Sequence, residues 1–353
     1  MKILLVRLRL IGDVVFTTPL IGALRRRYPD ARLSYLVEPA AAPVVTANPN
    51  LDDVIVLPRR RGLARLGDDL RAARRLRAER FDVAIDLHGG PRAAWLTLAT
   101  GAPMRIGYTI PGRSWMYTHV VTRAPELAAR HSVANQWDLL TPLGFAEPDR
   151  ARQPVEMAAD GAAAMRIDTR LAAADIRPDT PLIVVHVSAS NRFRRWPQES
   201  FVRVITELAR QDPRRRIVVF SGPTDRDAAD RVVESARTQL GPLAAAVPDF
   251  GPTDLPELRA LVARAAVYIG GDTGPMHIAT TTATPIVAII GPTLGQRSSP
   301  WRDPALFSAV LEPGPLPCRP CQQRHCEPGD FRCLTSIDSG RVIDAAERAL
   351  RAS

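Results

Sequence analysis

Short apolar runs alternate with longer amphipathic segments along both halves of the chain, and this alternation limits the possible folds most strongly. Strict repetition of strand, helix and strand favours a parallel, doubly wound α/β sheet. In the first half, predicted strands are 3–6, 32–37, 54–57 and 83–87, and predicted helices are 14–27, 40–47 and 63–80. In the second half, predicted strands are 182–187, 216–220, 265–269 and 285–290, and predicted helices are 198–210, 225–239, 255–263 and 339–351.

An irregular span rich in proline and alanine, residues 147–179, separates the two halves. With 353 residues the chain is long enough for two domains. We therefore predict two Rossmann-like domains, 1–165 and 166–353, that face each other across a cleft. In such sheets ligands lie beyond the carboxyl ends of the strands.

Composition narrows the classes of function. No apolar run reaches eighteen residues, and charged residues interrupt the first apolar segment, so we expect neither a membrane-spanning helix nor a cleaved signal peptide, and a cytoplasmic protein. The net charge of +10 suits nucleic acid, an anionic membrane or phosphorylated substrates. Aromatic residues are only 5% and do not alternate with basic ones, so no nucleic-acid partner is predicted.

The stretch from Gly270 to His277 reads GGDTGPMH and lies between a predicted strand and a predicted helix. Glycines there allow close backbone approach, and the first N–H groups and positive end of the helix suit a diphosphate. Thr273 adds a hydroxyl donor, and Pro275 suits the first helical turn. An ordinary strand-to-helix turn is the alternative interpretation.

Residues 188–196, SASNRFRRW, follow another predicted strand. Ser188 and Ser190 can donate hydrogen bonds to phosphate oxygens, and Arg192, Arg194 or Arg195 can contact a diphosphate with two N–H groups. The alternative for each arginine is a solvated surface charge.

Asp13 follows the first predicted strand. A carboxylate at that strand end can take a proton from an incoming hydroxyl. The alternative is an N-cap for the helix predicted to begin at Val14, and the two roles are compatible.

Four cysteines lie within sixteen residues of one proline-rich segment: Cys318, Cys321, Cys326 and Cys333. The C-x2-C spacing of the first pair also occurs in zinc and iron–sulfur sites. A reduced structural cluster is favoured over a metal site, and disulfides are disfavoured in a reducing compartment.

Two such domains, one binding a nucleotide diphosphate and one offering a carboxylate base, fit sugar transfer from a nucleotide sugar. No Asp-x-Asp metal motif is evident near the diphosphate turn. Arginines and the helix dipole must then stabilise the departing diphosphate.

At these residues the chain resembles glycosyltransferase family 9, the ADP-heptose:lipopolysaccharide heptosyltransferases, and most of all its heptosyltransferase III branch. The resemblance runs nearly end to end, and Arg194 stands where the family usually has lysine. The matching motifs are Arg7-x5-Asp13, Thr17-Thr18-Pro19, Arg194-Arg195-Trp196-Pro197 and Gly271 to His277.

This resemblance implies a GT-B fold, inversion at the anomeric carbon, and no required metal or other cofactor. The implied partners are ADP-heptose, a lipid A–core oligosaccharide and the cytoplasmic surface of the inner membrane, where the enzyme would be peripheral; we expect a monomer. Basic runs 25–27 and 71–77 are expected either to meet anionic acceptor or lipid, or to be solvated helix faces. The last helix is expected to be able to pack back on the N-terminal domain.

The strand-end positions and the resemblance together assign three sets of residues. Asp13 is the expected catalytic base. The expected donor-binding residues are Ser188, Ser190, Arg194, Gly222, Asp225, Asp272, Thr273, Gly274, Pro275, Met276 and His277. The expected acceptor-binding residues are Arg7, Gly12, Thr18 and His88.

Two alternatives remain open on the sequence. One is the same fold acting on another nucleotide sugar or another acceptor. The other is a non-catalytic protein that binds a nucleotide, or a metal at the cysteines.

Overall fold

The computed structural model describes residues 1–124, 129–222 and 225–352. The chain forms two units, Met1–Ala158 and Ala159–Ser353. The predicted boundary between residues 165 and 166 falls inside helix Gly161–Ala173. That helix packs on helix Leu255–Val262, so it belongs to the second unit.

The first unit is built on a parallel sheet with strand order β3-β2-β1-β4-β5-β6. Its described strands are β1 (Lys2–Val6), β2 (Arg32–Val37), β3 (Asp53–Val56), β4 (Val83–Asp86), β5 (Met104–Tyr108) and β6 (His119–Val121). The strand order reverses between β1 and β4, which is where ligands of such sheets bind.

Helices cover both faces of this sheet, as right-handed crossovers between parallel strands require. The described helices are α1 (Ile11–Val15), α2 (Thr18–Arg27), α3 (Gly62–Glu79), α4 (Pro91–Ala99) and α5 (Ser132–Trp137), with 3-10 turns at Ala42–Val44, Ser114–Met116 and Asp138–Leu143. Leu4 and Val6 of β1 are fully buried against Leu76 of α3 and Leu96 of α4. A strand covered on both faces reads as a continuous apolar run, which explains why β1 was predictable.

The second unit has a parallel sheet with strand order β11-β10-β9-β7-β8, and its order reverses between β7 and β9. Its described strands are β7 (Leu182–His186), β8 (Arg216–Phe220), β9 (Val267–Gly271), β10 (Ile286–Ile289) and β11 (Ser308–Leu311). Its described helices are α6 (Gly161–Ala173), α7 (Gln198–Gln211), α8 (Arg226–Leu240), α9 (Leu255–Val262), α10 (Gly274–Ala279), α11 (Gly295–Ser298), α12 (Arg332–Thr335) and α13 (Ser339–Arg351), with 3-10 turns at Arg192–Arg194 and Gly241–Ala246.

The last helix packs within the second unit. The apolar face of α13, with Val342 and Ala346, is buried in the same cluster as Ile269 of β9 and Val287 of β10. The apolar stripe of the helix is therefore part of the core of the second unit.

The helix predicted over residues 14–27 is wrong as a single element. It divides into α1 and α2 around Thr17, and Pro19 lies in the first turn of α2. Proline has no N–H and is tolerated only in a first helical turn, so it marks a new helix start. None of the helices in the described ranges is long and apolar enough to cross a membrane.

Gly270 and Gly271 end strand β9 and do not form the turn that the sequence suggested. A Cβ on Gly270 would lie 2.5 Å from the Tyr268 hydroxyl, so this position requires glycine for a steric reason. The close fit holds the end of β9, and therefore the residues that follow it.

We predict that Gly270→Ala lowers the free energy of unfolding by about 1–3 kcal/mol, because the new methyl overpacks a closed core. Urea unfolding of the full chain, followed by circular dichroism, measures the change. Gly314→Ala is the matched control, since a Cβ there would meet no described atom within 4 Å.

Adding Tyr268→Phe to Gly270→Ala removes the hydroxyl that the new methyl would contact. The double variant should therefore recover part of the lost free energy of unfolding. The buried Tyr268 hydroxyl has no hydrogen-bond partner among the described residues, so Tyr268→Phe loses no such bond. If Gly270→Ala were as stable as Gly314→Ala, the steric account of this strand end would be wrong.

Candidate functional site

The second sheet gathers polar residues at the point where its strand order reverses. His186 ends β7, and Asp272 and Thr273 follow the end of the neighbouring β9. Carboxyl ends of adjacent parallel strands meet at one edge of the sheet, which is the usual place for a ligand.

Asp272 is a buried carboxylate that connects three other elements. Thr293 Oγ1 donates to Asp272 Oδ2 at 2.6 Å, and His277 Nε2 lies 3.3 Å from Asp272 Oδ1. Arg194 Nη1 lies 3.3 Å from Asp272 Oδ2 and donates to the Asp272 carbonyl oxygen at 3.0 Å. Burial alone would raise the pKa of Asp272, but the His277 hydrogen bond and the Arg194 charge hold that pKa well below its ordinary value. A carboxylate that stays charged while buried fixes the cation beside it.

Arg194 closes the 3-10 turn Arg192–Arg194, which Asn191 begins by accepting a hydrogen bond from the Phe193 N–H at 3.0 Å. The Arg194 Nε donates to Gln323 Oε1 at 2.7 Å. Held on both sides, the side chain is still 31% exposed, so part of the guanidinium faces solvent. An oriented, partly exposed guanidinium is well suited to bind an anion.

Two hydroxyl groups make long contacts with the imidazole of His186. Thr273 Oγ1 lies 3.4 Å from His186 Nδ1, and Ser188 Oγ lies 3.3 Å from His186 Nε2. The Gly222 N–H donates to Ser188 Oγ at 3.1 Å, which joins the ends of β7 and β8. Burial lowers the pKa of His186 to about 3, so the ring is neutral at physiological pH. Because contacts near 3.4 Å are long for hydroxyl hydrogen bonds, the Thr273 hydroxyl can turn to a ligand.

Asp225 directly precedes α8 and accepts a hydrogen bond from Arg195 Nη2 at 2.8 Å. The Arg195 Nε also donates to the Ala189 carbonyl oxygen at 2.7 Å. Next to this pair, a cavity of about 540 Å³ is lined by Gly222, by α8 and by residues 248–252. The cavity therefore adjoins the polar edge of the sheet.

The remaining predicted donor residues differ in accessibility. Gly274 and Pro275 form the first turn of α10 and are partly exposed, and Ser190 is exposed. Met276 is fully buried, so its side chain belongs to the core of the second unit. Its position on the inner face of α10 explains this, because that face packs on the sheet. The helix has only six residues, Gly274–Ala279, so its dipole is smaller than expected.

The first sheet also gathers charged and polar residues where its strand order reverses, and here they surround Arg7. Arg7 Nη1 donates to the Leu87 carbonyl oxygen at 2.5 Å, and Arg7 Nη2 lies 2.5 Å from Asp13 Oδ2. These contacts join the ends of β1 and β4 to α1, where the strand order reverses. The Asp13 side chain is 35% exposed and lies inside α1, whose N-cap is Leu10. The alternative of Asp13 as an N-cap is therefore wrong.

His88 and the buried Asp86 lie at the same edge. Asp86 accepts hydrogen bonds from the His88 N–H at 2.9 Å and the Gly89 N–H at 2.8 Å, and Tyr117 Oη donates to it at 2.7 Å. Burial raises the pKa of Asp86, although these three bonds oppose the rise. Burial and the nearby positive charge of Arg7 lower the pKa of His88 to about 4. The half-buried His88 is therefore neutral near pH 7.

Two predicted acceptor residues differ from expectation. Thr18 is fully buried: its hydroxyl donates to the Val15 carbonyl at 2.8 Å and accepts from the Glu156 N–H at 2.8 Å. With both functions used by backbone, Thr18 is structural, and the predicted acceptor contact is wrong. Gly12 is partly exposed within α1, one residue before Asp13.

The sequence interpretation missed His186, Thr293 and Gln323 as parts of the second site. A signal existed for His186, since it is the one polar residue in a buried apolar strand, LIVVH. Thr293 lies four positions after β10, the strand paired with β9, so its place near a strand end is also a signal. No local signal marks Gln323, which reaches the site from a distant loop.

The four cysteines are free thiols in one segment of the second unit. They line a cavity of about 450 Å³ together with Phe193 and Phe331. Burial, and then the neighbouring Cys321 and Cys318, raise the pKa of Cys333 to about 11. Over the described ranges, no set of three or more His, Cys, Asp or Glu side chains is arranged to hold a metal ion.

Burial of neutral His186 predicts a pH-dependent stability. A free histidine has a pKa near 6.5, so between about pH 6.5 and pH 3 the unfolded chain binds a proton that the folded chain does not. The free energy of unfolding should therefore fall with decreasing pH, by up to about 1.4 kcal/mol per pH unit from this residue. Urea unfolding of the full chain at a series of pH values measures the slope.

In His186→Gln the free energy of unfolding should depend less steeply on pH, by the contribution of one proton. This difference should hold whatever the absolute stability of the variant. His119→Gln, at an exposed position, is the control and should keep the slope of the original protein. An unchanged slope in His186→Gln would mean that His186 is protonated in the folded state.

Comparisons with known proteins agree with this architecture. The sequence profile of glycosyltransferase family 9 (heptosyltransferase) matches residues 70–330. The lipopolysaccharide heptosyltransferase 3 of Escherichia coli is 27% identical over 354 residues, covering 98% of each chain.

Solved structures show the same fold. A family 9 glycosyltransferase from Veillonella parvula superposes with a TM-score of 0.85 at 24% identity, covering 100% of this chain and 98% of that one. The Escherichia coli heptosyltransferase WaaC, solved with ADP-2-deoxy-2-fluoro heptose, gives a TM-score of 0.71 at 20% identity, covering 99% of each chain. These neighbours and the two parallel sheets confirm the predicted GT-B fold. Because the family profile spans most of the chain, this protein belongs to glycosyltransferase family 9, the heptosyltransferase family.

Proposed function

We propose that the protein transfers a heptose from ADP-heptose to the inner core of lipopolysaccharide, with inversion at the anomeric carbon. The observation that carries the proposal is the Asp272–Arg194 pair at the carboxyl edge of the second sheet, in a chain of this family. Support for the donor comes from the related enzyme whose structure contains an ADP-heptose analogue. Support for the acceptor comes from the relative named as a lipopolysaccharide heptosyltransferase.

In this proposal the second unit binds the diphosphate of the donor. Arg194 presents its exposed N–H groups to the phosphate oxygens while Asp272 and Gln323 hold its orientation. Thr273 and Ser188 add hydroxyl groups at the same edge. Asp272 is itself a buried anion, so it acts as a positioning residue for Arg194 and His277 and does not contact the diphosphate.

The nucleoside would lie in the cavity next to Gly222. Its volume of about 540 Å³ is ample for an adenosine group, and Arg226, Asp230 and Phe250 supply both polar and aromatic walls. Asp225, held by Arg195, lies at the start of the helix that lines this cavity and is proposed to accept a hydrogen bond from a ribose hydroxyl.

Asp13 is the proposed base for the reaction. Its carboxylate takes the proton of the acceptor hydroxyl as that oxygen forms a bond to the anomeric carbon, and the bond from this carbon to the ADP phosphate oxygen breaks. Arg7 lies 2.5 Å from Asp13 Oδ2 and fixes the orientation of the carboxylate. His88 and Gly12, partly exposed at the same edge, are proposed to contact the acceptor.

Departing ADP gains negative charge, and this charge must be stabilised. Arg194 and the N–H groups of Gly274 and Met276 at the start of α10 are the proposed donors, so no metal or other cofactor is required. The enzyme is further proposed to act as a cytoplasmic monomer, peripheral on the inner membrane, without a nucleic-acid partner.

Replacing Asp13 by Asn tests the proposed base. Transfer from ADP-heptose to a heptose-accepting core oligosaccharide should fall by about 10²–10⁴-fold, since an amide does not accept the proton. Binding of ADP, measured by calorimetry on the same protein, should stay within about twofold, because Asp13 lies in the other unit from the proposed donor residues.

Asp30→Asn, which changes an exposed carboxylate near the same sheet, is the matched control and should keep full activity. A thermal melt of each variant reports whether loss of the Arg7 contact alters folding. Transfer by Asp13→Asn at the rate of the control would exclude Asp13 as the base.

A further inference from the structure

The first half of α3 exposes large apolar side chains to solvent. Leu63, Leu66 and Leu70 are 85%, 63% and 47% exposed. At 100° per residue these three positions fall within about 60° of one another on the helix. They form one apolar stripe on a helix whose other face is buried.

The inner face of α3 already has its partners. Ala72 and Leu76 pack on the first sheet beside Ala93 and Leu96 of α4. The three leucines of the stripe therefore take no part in the core. They lie on the outer surface of the layer that α3 and α4 form. On α4, Trp95 is 38% exposed between buried neighbours, so the same layer carries a partly exposed aromatic ring.

Arginines surround this stripe. The segment 59–77 contains eight arginines and two acidic residues, and both acidic residues are buried. Asp69 is held by Arg92, whose Nη2 lies 2.5 Å from Asp69 Oδ1, and Asp68 is paired with Arg71. The accessible charge of the surface is consequently positive. Its exposed arginines are Arg59, Arg60, Arg61, Arg65, Arg71, Arg74, Arg75 and Arg77.

Exposed leucines within a ring of arginines match an anionic membrane surface. Leucines enter the boundary between headgroups and acyl chains, and arginines contact lipid phosphates. A second copy of this chain would bring like charges together, which opposes self-association through this face. Nucleic acid would satisfy the arginines but leave the leucines in water.

We propose that the outer face of α3, formed by Leu63, Leu66, Leu70 and the arginines around them, docks on anionic phospholipid membranes. The inference extends the proposed function by identifying the surface that meets the membrane, and it rests on this surface and not on the chemistry of transfer. Docking there would concentrate the enzyme where a lipid-linked acceptor is found.

Flotation of the purified full chain with vesicles tests this proposal. The protein should float with vesicles of phosphatidylethanolamine and phosphatidylglycerol, and much less with phosphatidylcholine alone. The variant Leu63→Ser/Leu66→Ser/Leu70→Ser should partition to anionic vesicles about tenfold or more weakly, because it loses most of the inserting area. Arg61→Gln/Arg74→Gln should weaken binding chiefly at low salt.

Matched controls test whether the loss of any exposed apolar or basic side chain weakens flotation, or only a loss on α3. Met165→Ser removes an equally exposed apolar side chain on α6, and Arg152→Gln removes an exposed arginine of the first unit; both should float normally. Because the three leucines are exposed, the serine variant should fold normally and keep its transfer rate on a detergent-dispersed acceptor within about twofold.

Three outcomes would overturn the proposal: flotation of the serine variant at the original level, equal binding of the original protein to neutral vesicles, or leucine-dependent dimers without lipid. The last outcome would assign the face to a second copy. Flotation uses no sugar donor, so failure of the transferase assignment would leave this test unaffected.

Discussion

A buried negative charge, Asp272, organises the second unit. Burying a carboxylate is costly unless hydrogen bonds and a counter-charge accompany it. Here Thr293, His277 and Arg194 supply both, and each comes from a different element. The arrangement makes the position of Arg194 a consequence of folding, so its guanidinium is oriented before any ligand arrives. Preorganised charge of this kind is the most effective means of stabilising a leaving group.

The first unit also has a buried charge held by polar partners, but there the buried charge is positive. Arg7 is the largely buried cation, and the Leu87 carbonyl and the Asp13 carboxylate satisfy it. In both sheets the charged group lies where the strand order reverses, because helices leave opposite faces of the sheet there and open a crevice. The topology therefore gives each unit one polar edge, one built around an anion and one around a cation. This difference suits a donor diphosphate in one unit and a hydroxyl to be deprotonated in the other.

The sequence predicts strands that are continuous apolar runs better than strands that charged residues or glycine interrupt. Strand β10 is a continuous apolar run, IVAI, and is predicted, whereas β5 contains Arg105 and Gly107 and is absent from the prediction. The residues of the candidate site also differ in how well the sequence predicts them. Asp272 and Thr273 follow a recognisable strand, but Gln323 joins Arg194 across 129 positions of sequence, a contact that only the tertiary structure reveals. Met276 belongs to the same sequence motif as Asp272 and Thr273, yet its side chain lies in the core, which the motif alone does not reveal.

Calorimetric titration of ADP into the original protein and Arg194→Gln, without added metal, tests the central claim most directly. The exposed Arg192 is two residues away, and Arg192→Gln serves as the matched control. The account predicts that ADP binds, that UDP and GDP bind less well, and that only Arg194→Gln weakens ADP binding, by about tenfold or more. Equal affinity for ADP in Arg194→Gln and Arg192→Gln would contradict the claim that Asp272 positions Arg194 for the diphosphate.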